Sequence, residues 1–394
     1  MSCLTRTSLS CLALALTLPL ASQAQEPVTP SLQLRLRHEQ VDDDAFARRA
    51  EATTLRARLG FLFTFSEAWD AFAEVEHTGH LLGKRFNSTA NGQTGYPVVA
   101  DPDNTELNQG WLRFKGEGWS ATAGRQRLNF GNQRHVGAVG WRQNEQTFDA
   151  LGLQFAPAAW QIRYAYLDRV QRIFGEDHPN PVFRRWNLDS HVLEAGTGLA
   201  GGRLTLFGLW HENRTLPATS QRTVGVRYEA SREWSAGTRL NYALELAQQR
   251  PWADAPGDGH ANYVRAEAGV GVEAGQFSLG FEKLGGDGHY AFQTPLATLH
   301  AFNGWADRFL TTPADGLVDV WVGWKRGFGP LKASIDLHRF EADTGSAHYG
   351  DELDAALNWT FAPRWNSQLK YAHYDADRFG TDVDKLWLTL EYSL

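Results

Sequence analysis

Arginine and amide side chains cluster in two neighbouring stretches of the sequence. GRQRLNFGNQR (Gly124–Arg134) holds three arginines and four side-chain amides in eleven residues. The second stretch, WRQNEQTFDA, places Arg142, Gln143 and Asn144 in succession. Guanidinium groups bind carboxylates through paired hydrogen bonds, and amides both donate and accept. The pattern suits binding of the carboxylates and hydroxyls of a sugar acid, although such a polar run is also typical of a solvent-exposed loop.

The first residues of the chain favour export from the cytoplasm. Arg6 precedes an apolar stretch from Leu9 to Ala21, and Ser22-Gln23-Ala24 has the form of a cleavage site. This arrangement predicts a signal peptide over residues 1–24 and a single mature domain over residues 25–394. Both cysteines lie within the signal peptide, so we expect no disulfide and no thiolate chemistry in the mature chain.

The composition narrows the function classes further. The formal net charge is −7, with 38 basic and 45 acidic residues, which argues against a nucleic-acid partner. No later stretch reaches about 18 consecutive apolar residues, so the sequence predicts no membrane-spanning helix. The sequence has no phosphate-binding loop, dinucleotide fingerprint or serine-hydrolase elbow, and we expect no cofactor.

Apolar and polar residues alternate with a period of two along most of the chain, as half-exposed β-strands require. In LWLTLEYSL, Leu386, Leu388 and Leu390 share one face, while Trp387 and Thr389 share the other. We count eighteen such segments, each roughly ten residues long, the length of a tilted strand that crosses a bilayer. Short connections alternate with longer ones and are predicted near residues 66, 118, 157, 201, 232, 274, 329 and 363.

The eighteen segments, joined alternately by short and long connections, predict an all-β protein, a transmembrane antiparallel β-barrel of about 18 strands. We expect it in the outer membrane of a Gram-negative bacterium, inserted by the outer-membrane barrel assembly machinery, with both termini periplasmic. Five tryptophans beside short connections support a girdle at the membrane interface. They are Trp69, Trp119, Trp160, Trp234 and Trp365.

The polar face of the predicted strands would then line a lumen, and it is rich in arginine. Rings of basic residues favour anions in a channel, although arginines and carboxylates of one wall can also pair with each other. The candidate pore-lining residues on these strands are Arg56, Arg58, Arg113, Arg163, Arg239 and Arg265.

The stretches Gly124–Leu151 and Gln293–Asp319 resemble the alginate export family of bacterial outer-membrane porins. The resemblance implies a barrel of this size whose arginine-rich constriction passes an anionic polyuronate outward. It places Asp307 and Arg308 in a loop packed at the pore. It assigns a selectivity region to the first stretch, comprising Arg125, Arg127, Arg134, Arg142, Asn144 and Asp149.

Other functions stay open. The chain looks shorter than the dedicated alginate secretion porin, which favours a general porin for small anionic or carbohydrate solutes. An outer-membrane enzyme acting on lipid is disfavoured, because Ser334 and His338 share the predicted lumen face. A structural barrel would have a lumen closed by salt bridges. We therefore expect a channel and not an enzyme, with outer-membrane lipid and an anionic sugar polymer or small sugar acid as partners.

Overall fold

Eighteen strands form one antiparallel sheet in the computed structural model, which describes residues 27–394. The predicted signal peptide over residues 1–24 lies outside this part of the chain. Among residues 27–394, no helix is both long and apolar enough to cross a membrane. The strands are β1 (Val28–Asp43), β2 (Ala50–Thr64), β3 (Trp69–Arg85), β4 (Asn104–Gly116), β5 (Trp119–Gln126), β6 (Thr147–Phe155), β7 (Trp160–Gln171), β8 (Arg185–Leu199), β9 (Gly202–His211), β10 (Gln221–Ser235), β11 (Thr238–Pro251), β12 (Ala261–Val272), β13 (Gly275–Leu284), β14 (Leu317–Phe328), β15 (Leu331–Glu341), β16 (His348–Ala362), β17 (Trp365–Ala376) and β18 (Val383–Ser393).

The sheet closes into a barrel. Each strand pairs with its neighbours in sequence, and β1 also pairs with β18 from Gln33 opposite Ser393 to Asp43 opposite Val383. Closure gives every described strand two partners, which removes the unpaired edges that an open sheet would expose. The predicted antiparallel barrel of 18 strands is confirmed. One helical turn, α1 (Pro181–Arg184), and two 3₁₀ turns (Pro217–Thr219 and Leu299–Ala301) lie in the connections.

The two faces of the wall are reversed relative to a soluble protein. On β18, the apolar Leu388 is 54% exposed, whereas the alternating neighbours Trp387 and Thr389 are 0% and 5% exposed. The same alternation leaves leucines, valines and phenylalanines exposed on most other strands and buries charged residues on the opposite face. An apolar outside and a polar inside are what a lipid-embedded barrel requires.

Short and long connections alternate around the barrel, and the start of β1 and the end of β18 lie at the short-turn rim. The short turn predicted near Arg232 is wrong, because Arg232 still pairs with Leu240 and the turn lies at residues 236–237. Gly237 adopts a φ of +79° there, a conformation that costs glycine little. The nine longer connections are 44–49, 86–103, 127–146, 172–184, 212–220, 252–260, 285–316, 342–347 and 377–382.

Aromatic residues mark the short-turn rim on the outer face. Trp69, Trp119, Trp160 and Trp365 each begin a strand, and all four are exposed. Trp234 is exposed as well, but it precedes its turn instead of following it. Tryptophans at one depth are typical of the girdle at a membrane interface.

Candidate channel constriction

The polar run singled out in the sequence lies inside the barrel. It belongs to the connection 127–146 between β5 and β6, here called loop A. From Arg142 to Gln146, exposed fractions range from 8% for Arg142 to 0% for Gln143 and Asn144. The interpretation as a solvent-exposed loop is therefore wrong, because loop A folds back against the inner wall.

Hydrogen bonds attach loop A to the strands. The Arg37 guanidinium donates to the carbonyl oxygen of Trp141 over 2.8 Å. The Gln143 amide donates to Thr54 Oγ1 over 2.8 Å, and the Asn144 amide donates to a backbone carbonyl over 3.2 Å. The prediction that Gln143 and Asn144 bind solute is wrong, because both side chains are fully enclosed by protein and hold the loop instead.

A second long connection, 285–316 between β13 and β14, also enters the barrel and is here called loop B. The Asn303 amide donates to Glu282 over 2.7 Å. The backbone N–H of Ala306 donates to Glu352 Oε1 over 2.7 Å. Buried carboxylates of the wall thus accept hydrogen bonds from loop B, which compensates part of the cost of enclosing them.

Loops A and B contact each other across the lumen. A backbone hydrogen bond of 2.9 Å joins Gly137 to loop B. The Trp141 ring stacks on His300, with centroids 4.3 Å apart. Arg142 forms a salt bridge of 3.2 Å with Asp307. The two loops therefore form one body that narrows the long-loop half of the lumen.

Asp307 is the centre of the contact between the two loops and the wall. It accepts hydrogen bonds from His300 over 2.7 Å and from Lys385 over 3.1 Å. Burial lowers the pKa of His300 to about 3, so its ring is neutral at neutral pH. Burial alone would raise the pKa of Asp307, but His300, Lys385 and Arg142 outweigh burial and hold that pKa well below its usual range. Arg308, next in the chain, pairs with the end of β1 over 3.1 Å.

Arg142 is enclosed by three carboxylates. Its guanidinium nitrogens lie 3.2 Å from Asp307, 3.5 Å from Glu39 and 3.9 Å from Asp101. Burial alone would lower the pKa of Arg142, but these carboxylates outweigh burial and raise it above its usual range. Arg142 therefore ties loop A to β1 and to loop B, and little of its surface remains exposed to a solute.

Glu145 connects loop A to strands β2 and β4. Arg58 lies 3.3 Å from it and also pairs with Glu76. Arg127 donates to Glu145 over 2.9 Å, and the Asn108 amide donates over 2.6 Å. Burial alone would raise the pKa of Glu145, but Arg58 and Arg127 outweigh burial and lower it. Arg127 keeps 34% of its side chain exposed and so still faces the lumen.

Other predicted pore arginines are paired as well. Arg134 and Arg265 share Glu282, at 2.9 Å and 3.5 Å. Arg163 lies 3.4 Å from Glu194. Arginines and carboxylates of the wall therefore pair with each other at these positions, which is one of the two possibilities that the sequence allowed.

Three arginines of β1 and β2 that lie beside loop A have a single carboxylate as their salt-bridge partner within the described residues. Arg35 and Arg56 share Glu391, at 3.0 Å and 3.3 Å. Arg37 donates only to hydroxyl and carbonyl oxygens in the described part of the chain.

Arg125 and Asp149 lie on the outer, lipid-facing side of the barrel wall. They are direct neighbours in the β5–β6 ladder and form a salt bridge of 2.8 Å. They share their face with Leu151, which is exposed among the lipid-facing residues. The prediction that Arg125 and Asp149 line the pore is wrong, because the two-residue period directs both outward. Arg127 follows the end of β5, where the chain has already turned inward.

The short-turn half of the lumen is more open. Cavities of about 570 Å³ and 560 Å³ lie against its inner wall, the first beside Lys325 and Lys332 and the second beside Arg203. Arg113 and Arg239, the remaining two predicted pore arginines, face this half and form no salt bridge among residues 27–394.

Sequence reasoning missed several partners that hold the constriction. Glu39 and Lys385 lie on the polar faces of β1 and β18, so the alternation that singled out Arg37 could have found them. Asp101 lies in the connection 86–103, which has no periodicity, and its contact with Arg142 gave no signal in the sequence.

The family comparison agrees with this architecture. A model of the alginate export family matches residues 27–287. The chain belongs to the alginate export family. The match covers loop A and ends at the start of loop B, so the second stretch of resemblance, Gln293–Asp319, lies beyond it. A search of curated proteins found no match for the sequence.

Solved outer-membrane proteins share the fold. OpdK from Pseudomonas aeruginosa is 16% identical, with a TM-score of 0.72, and the alignment covers 93% of this chain and 98% of that one. OccAB4 from Acinetobacter baumannii is 14% identical, with a TM-score of 0.72 and the same coverage. OccK9 (OpdG) from Pseudomonas aeruginosa is 16% identical, with a TM-score of 0.74, covering 94% and 98%. Family and fold together identify an outer-membrane channel, and the family and these neighbours are not enzymes.

Proposed function

We propose that this outer-membrane channel passes small anionic sugars, such as uronate monomers and short oligomers. The observation that carries the proposal is the contact between loops A and B, which meet across the lumen and are tied to the wall by ion pairs. The proposal requires passages beside this anchored body that admit small solutes, whereas a long polymer would need the loops to be displaced. We place the long loops outside the cell and both termini in the periplasm, as in other barrels.

Arginine provides the preference for anions in this proposal. Arg113 and Arg239 keep guanidinium donors free, and Arg35 and Arg56 divide one carboxylate between them. Cations left unneutralised along the lumen raise the local concentration of anions. Because the carboxylate pairs of the constriction offset most other arginines, we expect a moderate preference and not strict exclusion of cations.

Export of a polyuronate polymer is the second candidate, and membership of the alginate export family favours it. It differs from the first proposal in requiring loops A and B to move. The lengths of the uronates that pass therefore separate the two candidates.

Proteoliposomes with the refolded barrel and a trapped osmolyte would test the choice. Swelling is measured in glucuronate, in a uronate trimer and in a chain of twenty uronates. We expect rapid entry of glucuronate, slower entry of the trimer and none of the long chain. Entry of the long chain would overturn the first candidate in favour of polymer export, and a barrel impermeable to all three would contradict both.

A further inference from the structure

Two aromatic rings and an arginine form a stack on the inner wall of β3 and β4. The rings of Phe72 and Trp111 are stacked, with centroids 5.5 Å apart and an angle of 30° between their planes. The guanidinium carbon of Arg113 lies 4.4 Å from the centroid of the Trp111 ring. Its Nε donates to Thr122 Oγ1 over 3.2 Å, which leaves the two terminal nitrogens without a hydrogen-bond partner in the described chain.

The stack faces the lumen and not the membrane. Phe72 lies directly opposite Trp111 in the β3–β4 ladder and is two residues from Glu74, which belongs to the constriction. Leu112, between Trp111 and Arg113, has the opposite orientation and is exposed on the lipid-facing side. Phe72, Trp111 and Arg113 are each only partly buried. Their place is therefore beside the body formed by loops A and B, on its short-turn side.

Two glycines lie on the strands that flank the rings. A Cβ at Gly60, on the neighbouring β2, would lie 2.7 Å from Phe72 Cζ. A Cβ at Gly124, on β5, would lie 2.9 Å from Trp111 Cα, and Gly124 has a φ of +122° that side chains rarely adopt. Gly60 thus leaves room for the Phe72 ring, and Gly124 allows the backbone of β5 to approach β4 closely opposite Trp111.

The charge of Arg113 is not neutralised by a carboxylate of the described chain. Its cross-strand neighbour Asp70 pairs with Lys115 over 3.0 Å, and Arg113 itself forms no salt bridge among residues 27–394. A guanidinium over an aromatic face keeps its outward donors for a ligand while the ring stabilises its charge. Two free terminal nitrogens match the geometry of a carboxylate.

We infer that Phe72, Trp111 and Arg113 form a binding site for a ring that carries a carboxylate, with a uronate as the expected ligand. The inference rests on the proposed function and deepens it. The carboxylate would take both free nitrogens of Arg113, and the apolar face of the sugar ring would lie on the exposed aromatic surface. Such a site would hold the solute next to the constriction, and its contacts are few enough to let the solute leave.

Block of the chloride current by added solute tests the site in planar bilayers containing the full barrel. The solutes are glucuronate, glucose, which has the ring without the carboxylate, and acetate, which has the carboxylate without the ring. The variants are Arg113→Gln, Trp111→Leu and, as a second aromatic change should Trp111→Leu not fold, Phe72→Leu. Trp119→Leu and Arg326→Gln are the controls, because both residues lie on the outer face.

We expect wild-type protein to bind glucuronate more tightly than glucose or acetate. Arg113→Gln should weaken glucuronate binding about tenfold, as loss of a charge-assisted pair implies, and leave glucose binding unchanged. Trp111→Leu or Phe72→Leu should weaken both sugars by about threefold to tenfold. The controls should match the wild type.

Two results would overturn the inference. One is wild-type binding of glucuronate no tighter than that of acetate. The other is an intact chloride current whose block by glucuronate is the same in all three variants. These results are distinct from failure of the proposed function, which would show as a wild-type barrel without current or without glucuronate entry into proteoliposomes.

Discussion

The two halves of the lumen use arginine in different ways. In the long-loop half, Arg134 and Arg142 are buried, paired with carboxylates and tied to loops A and B. In the short-turn half, Arg113 and Arg239 have no carboxylate partner in the described chain, and open cavities adjoin the wall. The comparison shows that an arginine-rich sequence does not by itself give an arginine-lined pore. Paired arginines build the constriction, and unpaired ones are available to a solute.

The largest effect is expected from Arg142→Ala. Removing one partner of a buried ion cluster costs about 3–5 kcal/mol, because the remaining carboxylates stay buried without their counter-charge. Glu39 and Asp101 would be left in this state, Asp307 would keep only Lys385 and His300, and loop A should detach from loop B. Single-channel recording should show a larger, noisier conductance with weaker anion preference in a barrel that still folds. Unchanged conductance and selectivity would mean that Arg142 does not hold the constriction, and Arg326→Ala on the outer face is the control.

The second-largest effect expected is a pH dependence of the contact between loops A and B. The pKa of His300 falls from its ordinary 6.5 to about 3 in the closed arrangement, so the released loop binds a proton more readily. The stabilisation by neutral His300 is complete above pH 6.5 and is lost progressively as the pH falls toward 3. Asp307, whose pKa is also depressed, acts in the same direction at the acid end.

Conductance recorded between pH 8 and pH 4, a range of roughly two units either side of an ordinary histidine, checks this dependence. We expect a steady conductance above pH 6.5 and increasingly frequent opening steps below it. His300→Asn should flatten the response. A response that survives in His300→Asn would assign the pH dependence to other groups.

Substitutions of Arg125 and Arg127 should have smaller effects, but they test directly which residues lie on the inner and outer faces of the barrel wall. They are two residues apart, yet Arg125 lies on the outer face and Arg127 contacts Glu145 inside. Arg127→Ala should shift the reversal potential in a salt gradient toward cations, and Arg125→Ala should not. Equal shifts in the two variants would contradict the assignment of faces.

The smallest effect is expected from Arg239→Gln. Arg239 is exposed in the wide short-turn half and contacts no carboxylate among the described residues, so its charge is largely screened by salt. A slight loss of anion selectivity should be detectable at low salt and vanish at high salt. A shift as large as that of Arg127→Ala would place the selectivity filter in the open half.

The barrel could be predicted because its rules are local. A two-residue period such as that of β18, and the alternation of short and long connections, report strand number and face directly. The misplaced turn near Arg232 shows the limit, because the polar residues there extend the β10–β11 ladder instead of ending it.

The constriction could be predicted only in part. The sequence singled out Arg142 and the loop that carries it, but loop A has no periodicity, so nothing indicated that Gln143 and Asn144 face the protein. The partners of Arg142 come from β1, from the connection 86–103 and from loop B. Such long-range pairings leave no signal in one sequence. Arg125 was assigned to the wrong face of the wall, although the two-residue period of β5 directs it outward.

The relative permeability of the wild-type barrel to glucuronate and chloride tests the central claim most directly. The barrel is placed in a planar bilayer with potassium glucuronate on one side and potassium chloride on the other, and the reversal potential is measured. We predict a potential that shows anion preference and measurable glucuronate permeability. A potential set by potassium alone, or a barrel that conducts chloride but excludes glucuronate, would contradict a channel for small anionic sugars.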